Sequence, residues 1–454
     1  MSFLGPDYLL DSPAAKELYG EVENLPIVDA HNHADLEEIV SNQPWEDIWQ
    51  VEGATDHYVW ELMRKRGIPE EQVTGKASNR SKWEALASVF PSLAGNPTYE
   101  WVHLDLKRQF GIDKIISAST ADEVWQRSQS SLSNPEMRPQ ALLQSMKIEV
   151  MCTTDDPTTK LPYHERAAKE IPSTKILPTW RPDKAMNINT PGWRHLLERL
   201  EAETGAEVSH LSGFLEALQA THDYFSRVGC VASDHGVFEP YSHYVSEEKA
   251  GAIHQKAAGG EKIVDSEIRD YKAFMLNRFG EMNMSAGWVT QLHIGPVRDY
   301  RDSLIQTLGP DSGGDISSQS LVIAENLRPF LNEFDGKLEI VLYCVDPTHL
   351  PTLATIARAF PNVSLGAAWW WNDSPYGMET QLKYVSTVDL LANYAGMVTD
   401  SRKLISFGSR TEMFRRTLCN VIGEMLQRGQ IPEGPASDLV RSLSYHRPKE
   451  LFFG

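Results

Sequence analysis

The run Ile27-Val28-Asp29-Ala30-His31-Asn32-His33 ends in a His-x-His, and far downstream Met397-Val398-Thr399-Asp400-Ser401-Arg402 supplies a carboxylate and an arginine. Side chains alternate along a strand, so His31 and His33 point to one side. Two imidazoles and a distant Asp suffice for a divalent metal that keeps a position open. If the first and last strands of a closed barrel bring the two segments together, the result is an enzyme's active site.

Further chemistry-bearing residues follow other apolar runs. Asp155 and Asp156 follow the second, Arg181 the third, Asp234 and His235 the fourth, and His293 the fifth with Arg298 beyond it. Trp369, Trp370 and Trp371 end the seventh, and Asp400 and Arg402 the eighth. Each has a plainer reading. Asp155-Asp156-Pro157 is a good helix-starting turn, and Ser233-Asp234-His235-Gly236 is an ordinary turn. The tryptophans make core and pocket wall, and an arginine at a strand end can simply pair with a neighbouring carboxylate. Their shared position is harder to dismiss, because barrel enzymes place their sites at the C-terminal ends of the strands. Arginine grips carboxylate and phosphate with two hydrogen bonds, so Arg181, Arg298 and Arg402 point to a small anion. No phosphate-binding glycine loop in the required context is present, which argues against a nucleotide cofactor.

The elements that must position these groups are eight short β-rich runs, at 26–33, 147–155, 175–182, 229–236, 288–295, 337–346, 362–371 and 396–401. Near-continuous apolar character suits parallel strands covered on both faces. Helical spacing appears between them, as in Thr348–Phe360 with Thr348 as cap, and in Thr411–Gln427. Strand–helix alternation predicts an α/β fold, a (β/α)8 barrel spanning residues 1–454 as one domain, with a doubly wound open sheet as the structural alternative. Residues 34–146, including Asn79–Phe110, read as a helical insertion after the first strand, and 237–287 as a second after the fourth. Within the second, the polar segment Glu247–Lys262 reads as a mobile lid or a solvated surface.

The bulk numbers narrow the function. The chain has 454 residues, 41% of them hydrophobic, ample for a large core. A net charge of −19 argues against nucleic acid and anionic membranes as partners. Cys152, Cys230, Cys344 and Cys419 stand far apart and read as free thiols in a reducing compartment. The N-terminus lacks a signal-peptide pattern, and no apolar stretch approaches the roughly 20 residues of a membrane span. The expectation is a cytoplasmic protein.

Nine pieces in order carry a family resemblance: VDAHNH at 28–33, DHYVWELMRKRGI at 56–68, GNPTYEWVHLDLKRQFGI at 95–112, WRPDKA at 180–185, SDHG at 233–236, QLHIGPVRD at 291–299, WWWND at 369–373, TDSR at 399–402 and FRRTLCNVIGE at 414–424. Through them the chain resembles, over almost its whole length, the uronate isomerases (glucuronate isomerases) of the amidohydrolase superfamily. That resemblance implies a distorted (β/α)8 barrel with a helical insertion, one divalent metal, usually Zn2+, and a homo-oligomer. The implied substrate is a hexuronate, D-glucuronate giving D-fructuronate or D-galacturonate giving D-tagaturonate. His31, His33 and Asp400 match metal ligands. His57 and Tyr58 would reach over the pocket from the insertion. Arg181, Asp234, His293, Arg298, Trp370 and Arg402 match further site positions, with His293 either ligand or substrate contact.

The implied chemistry removes a proton from C2 and delivers one to C1 through a cis-enediol. Asp400 and solvent at the metal handle the transfers, Tyr58 relays or donates, His57 stands beside it, and Arg402 and Arg181 hold the open-chain sugar. Pro296, Asp299-Tyr300, the Asp311–Asp315 loop and the stretch Ser406–Arg410 depart from the family pattern and leave the preferred uronate open. Two competing readings are a metal-dependent hydrolase on the same scaffold and a catalytically silent sugar-acid-binding protein.

Overall fold

Parallel strands with helical connections make up the framework. In the computed structural model, which describes residues 2–454, the strands are β1 (Ile27–Asp29), β2 (Ile148–Cys152), β3 (Lys175–Leu177), β4 (Ala232–Val237), β5 (Val289–Ile294), β6 (Ile340–Cys344) and β7 (Val363–Leu365). They form two sheets, β1-β2-β3 and β4-β5-β6-β7, every neighbouring pair parallel. Their composition explains them. The run Val289–Ile294 is buried at every position, as expected of strands covered on both faces.

Hydrogen bonds outside the regular strands join the two sheets. Asp234 N–H donates to Trp180 O at 3.0 Å, linking the chain after β3 to β4. Ala395 N–H donates to Leu365 O at 2.9 Å, Asp400 N–H to His31 O at 3.1 Å and His33 N–H to Ser401 O at 2.9 Å, so the run 395–401 lies between β7 and the end of β1.

That run is not the eighth strand that its apolar character suggested. Gly396 and Asp400 have φ of +90° and +48°, in the left-handed region, and this breaks an extended ladder. One smaller expectation also changes. Thr348 is not a cap; the Asp346 carboxylate accepts its N–H at 2.9 Å and starts a 3-10 turn before the helix Leu350–Ala359. The segment 247–262 is mostly the helix Glu247–Ala258, which buries Ala250, Ile253 and Ala257 and exposes Glu247, Glu248 and Lys249, the solvated surface that its polar character suggested.

Between β1 and β2 the described residues form helices and short turns, among them Ile48–Glu52, His57–Lys65, Asn79–Val89 and Pro97–Gln109. Trp49, Trp83, Leu86, Phe90 and Leu106 form their common apolar core, which continues onto Ile148 and Ile176 of β2 and β3 and onto Leu404 and Phe407. The helical layer is therefore seated on the chain just beyond Arg402. The same layer carries the helix His57–Lys65, whose Val59 and Met63 are buried in that core. No helix among the described residues is long and apolar enough to cross a membrane.

Candidate functional site

His31 and His33 lie just past β1, where the chain leaves the sheet. Asp29 anchors the spot: its carboxylate accepts the Thr399 N–H at 3.0 Å and the Thr399 hydroxyl at 2.6 Å, tying the Asp400 segment to β1. Thr399 and its neighbours are thus held by a buried charge-assisted pair of bonds. The left-handed φ of Asp400, tolerated by a short polar side chain, then turns its carboxylate toward the two imidazoles.

His31 Nε2 and His33 Nε2 each stand 3.2 Å from Asp400 Oδ1. Ligand atoms around a tetrahedral ion with bonds of about 2.0–2.1 Å are separated by roughly 3.3 Å. Both distances from Asp400 Oδ1 match that spacing, and two imidazoles with one carboxylate form a donor set suited to zinc and similar metals. Burial pulls the His33 pKa down to about 4, which keeps its ring neutral and able to ligate. The other Asp400 oxygen, Oδ2, accepts the Trp369 indole N–H at 2.8 Å. Burial alone would raise the Asp400 pKa, but the hydrogen bonds from His31 and His33 hold it well below the usual carboxylate range.

A second constellation lies deeper. Asp234, inside β4, accepts His293 Nδ1–H at 2.6 Å on one oxygen and meets Arg181 Nη1 at 3.2 Å on the other. That second oxygen lies 3.7 Å from His31 Nδ1. His293 sits within β5 and stacks on Tyr343 with ring centroids 4.2 Å apart. Burial would raise the Asp234 pKa, yet Arg181, His293 and His31 together drive it well below the ordinary value. Asp234 is thus a fixed negative charge behind His31, a usual arrangement for orienting a ligating imidazole. His293 Nε2 is buried without a hydrogen-bond partner and borders the pocket. His293 is not among the three donors gathered around Asp400 Oδ1.

The pocket above these groups is lined by every residue that the family resemblance pointed to except Asp234, which lies behind its wall: His57, Tyr58, Arg181, His293, Arg298, Trp370 and Arg402 join the metal-capable trio. His57 and Tyr58 are the first two residues of the helix His57–Lys65, whose cap Asp56 accepts Tyr58 N–H at 2.9 Å. Such a cap contributes about 1 kcal/mol. Burial, opposed by the Arg410 charge, raises the Tyr58 phenol well above its ordinary value. Burial, helped by the Arg402 charge, lowers the His57 pKa. Arg298 lies over the Trp370 ring, 4.4 Å from its centroid, and donates to Asp315 at 3.0 Å.

Several contributors were not foreseen. Trp369 bonds to Asp400, and Trp370, which also lines the pocket, is the ring beside Arg298. Trp370 has φ of +58°, a rare conformation for a bulky residue. Arg410, fully buried, donates to Asp373 at 3.0 Å and to Thr399 O at 2.8 Å, and borders the pocket. Its only sequence signal was the unusual stretch Ser406–Arg410. Asp155 and Asp156 stand apart from the pocket, with Asp156 paired to Lys184 at 2.8 Å; no helix starts at Pro157, and the next begins at Pro162. His235 points away too, bonded to Ser233 at 2.7 Å.

Known proteins show the same arrangement of chain. The model of the glucuronate isomerase family matches residues 1–452. The chain belongs to the glucuronate isomerase family. Membership makes it an enzyme, an isomerase, as the ordered motifs led one to expect. The uronate isomerase of Thermotoga maritima is 62% identical over 452 residues, 100% of each chain. Its crystal structure superposes with a TM-score of 0.98 at 61% identity, covering 100% of both chains. The crystal structure of glucuronate isomerase from Caulobacter crescentus, at 26% identity, gives a TM-score of 0.95 over 99% of this chain and 97% of the other.

Proposed function

We propose that the chain interconverts a hexuronate aldose and its ketose, D-glucuronate with D-fructuronate or D-galacturonate with D-tagaturonate, in the pocket above β1 and β5. The observation that carries this reading is the meeting of His31, His33 and Asp400 at 3.2 Å beneath a pocket lined by Arg181, Arg298 and Arg402. A divalent ion held by His31, His33 and Asp400, one per chain and most simply Zn2+, would act as a Lewis acid on the oxygens at C1 and C2.

The residues divide the remaining work. Asp400, ionised, takes the proton from C2 and returns it at C1. Tyr58, protonated because burial disfavours phenolate, donates toward O1 as the cis-enediol forms and relays a proton from O2. His57, neutral at pH 7, accepts a hydrogen bond from substrate. Arg402 and Arg298 hold the carboxylate, and Arg181 keeps Asp234 and the floor charged and in place. His293 contacts substrate through its unpaired Nε2.

We further read the seven strands with the run 395–401 as one distorted (β/α)8 barrel over residues 1–454, with 34–146 and 237–287 as helical insertions. The bonds from Asp400 to His31 and from Asp234 to Trp180 support closure. Free, mostly buried thiols suit a cytoplasmic enzyme.

A panel of hexuronates assayed for aldose–ketose conversion, with metal analysis of the same protein, tests the reading. The expected result is conversion of at least one hexuronate without change of mass, with one equivalent of divalent metal. Water added to a substrate would favour a hydrolase, and binding without turnover a silent receptor; either would sink the proposal.

A further inference from the structure

Three residues beyond Asp400, Lys403 turns away from the pocket into the helical layer. Its side chain is buried, and its ammonium stands 2.8 Å from Glu52, 3.2 Å from Asp56 and 4.0 Å from Asp105. All three carboxylates come from the layer between β1 and β2: Glu52 ends the helix Ile48–Glu52, Asp56 caps His57–Lys65, and Asp105 lies in Pro97–Gln109. The Lys403 backbone is fixed as well. Its N–H donates to Ser401 Oγ at 3.1 Å, and its carbonyl accepts from Ser401 at 2.9 Å and Ser406 at 3.1 Å.

The Asp56 carboxylate joins two systems. One oxygen accepts the Tyr58 N–H at 2.9 Å, and the other meets the Lys403 ammonium at 3.2 Å. A single buried group therefore links the chain that carries Asp400 and Arg402 to the turn that carries His57 and Tyr58. Removing the ammonium leaves three buried acids with no lysine among them, which is far costlier than losing a surface pair. A stabilising tie alone could sit anywhere on this interface. This one ends on the cap of the helix turn that lines the pocket.

We propose that Lys403 is a positioning residue: through Asp56 it holds His57 and Tyr58 in register with Asp400 and Arg402. The inference rests on the proposed role of Tyr58 and adds the group that sets its place. Lys403 does not touch the pocket, so its loss acts on the reaction step and spares substrate binding by Arg298 and Arg402.

The test compares Lys403→Met, Lys403→Met with Glu52→Gln, Tyr58→Phe, and Lys403→Met with Tyr58→Phe. Thermal midpoint, kcat and KM are measured on folded, metal-loaded enzyme. Lys403→Met is expected to lose about 10²-fold in kcat, the scale of a misplacement near 1 Å, with KM changed by less than about threefold. Adding Glu52→Gln removes one stranded charge and is expected to restore much of the thermal midpoint but not kcat. This pair also serves if the single variant does not fold. In the Tyr58→Phe background, Lys403→Met is expected to cost less than about threefold, because both changes remove one function.

Recovery of kcat together with the thermal midpoint would reduce Lys403 to a stabilising role and overturn the proposal. Fully additive losses, with Tyr58→Phe itself damaging, would overturn it while leaving Tyr58 in the mechanism. A fully active Tyr58→Phe enzyme would instead remove Tyr58 from the reaction and take this inference with it.

Discussion

Arg181 and Arg402 border the same pocket, yet they are held in opposite ways. Arg181 lies at the floor between two carboxylates, Asp183 at 2.9 Å and Asp234 at 3.2 Å, with a side chain only 19% exposed. Asp183 is itself fixed by the Gly236 N–H at 3.0 Å. Arg402 stands at the rim, 35% exposed, with one long contact of 3.5 Å to Asp311, which is 61% exposed. The floor is already satisfied and preorganised, whereas the rim keeps hydrogen-bonding capacity free for a ligand. A preorganised donor or charge loses nothing when the reaction develops charge beside it, while a weakly paired one can exchange a protein partner for substrate. Variants of floor and rim should therefore differ in size and in kind.

The largest effect belongs to the floor. Asp400→Asn is expected to lose at least about a thousandfold in kcat while remaining folded, since the proposed mechanism asks one residue to be both metal ligand and proton acceptor. Rapid kinetics with a good hexuronate, alongside metal content, check this. Turnover near the parent value in a folded variant would remove Asp400 from the reaction and erase the distinction drawn between floor and rim.

At the rim, Arg402→Lys is expected to cost roughly ten- to hundredfold in kcat/KM, or about 1.5–3 kcal/mol, because an ammonium lacks the planar fork. The loss should fall mainly in KM. An unchanged kcat/KM would leave Arg402 merely paired to Asp311.

Trp369→Phe sharpens the comparison from the floor side, because it keeps an aromatic ring in place and deletes the indole N–H that reaches Asp400 at 2.8 Å. The expected loss is about tenfold in kcat with little change in KM, the scale of one hydrogen bond to a charged group. A change confined to KM would place Trp369 with the rim instead.

How much of this was legible in the sequence depends on the kind of geometry involved. His31 and His33 were readable because period-two alternation survives one residue pair past the strand end. Arg181, Asp234 and His293 were readable because each follows or ends an apolar run. The eighth strand was misread because Gly396 and Asp400 adopt left-handed backbone, which apolar character does not report. Spacing does not separate Trp369 from Trp370 either: both line the pocket, Trp370 beside Arg298 and Trp369 on Asp400. Arg410 with Asp373, and Lys403 with Glu52, are pairs across 37 and 351 residues. They sit on helices and loops where no local spacing marks a partner.

The smallest effect tests the rim most directly. Asp311 lies in a loop held to the helix His57–Lys65 by the Arg64 guanidinium on Ser312 O at 2.6 Å and by the Gly314 N–H on Glu61 at 2.9 Å. Its carboxylate presents to Arg402 the same chemical group that a hexuronate would present. If Arg402 holds substrate as proposed, the substrate displaces Asp311 or shares the guanidinium with it. Asp311→Asn removes the competing charge, so KM for a hexuronate is expected to fall by about two- to fivefold with kcat unchanged, in line with an exposed ion pair worth about 0.4–1 kcal/mol. Salt should shrink the difference, because exposed charges are screened within a Debye length of about 8–10 Å. The measurement is KM for parent and variant at low and high ionic strength. A higher KM in the variant would mean that Asp311 binds substrate hydroxyls, and the rim would then be preorganised for its ligand just as the floor is.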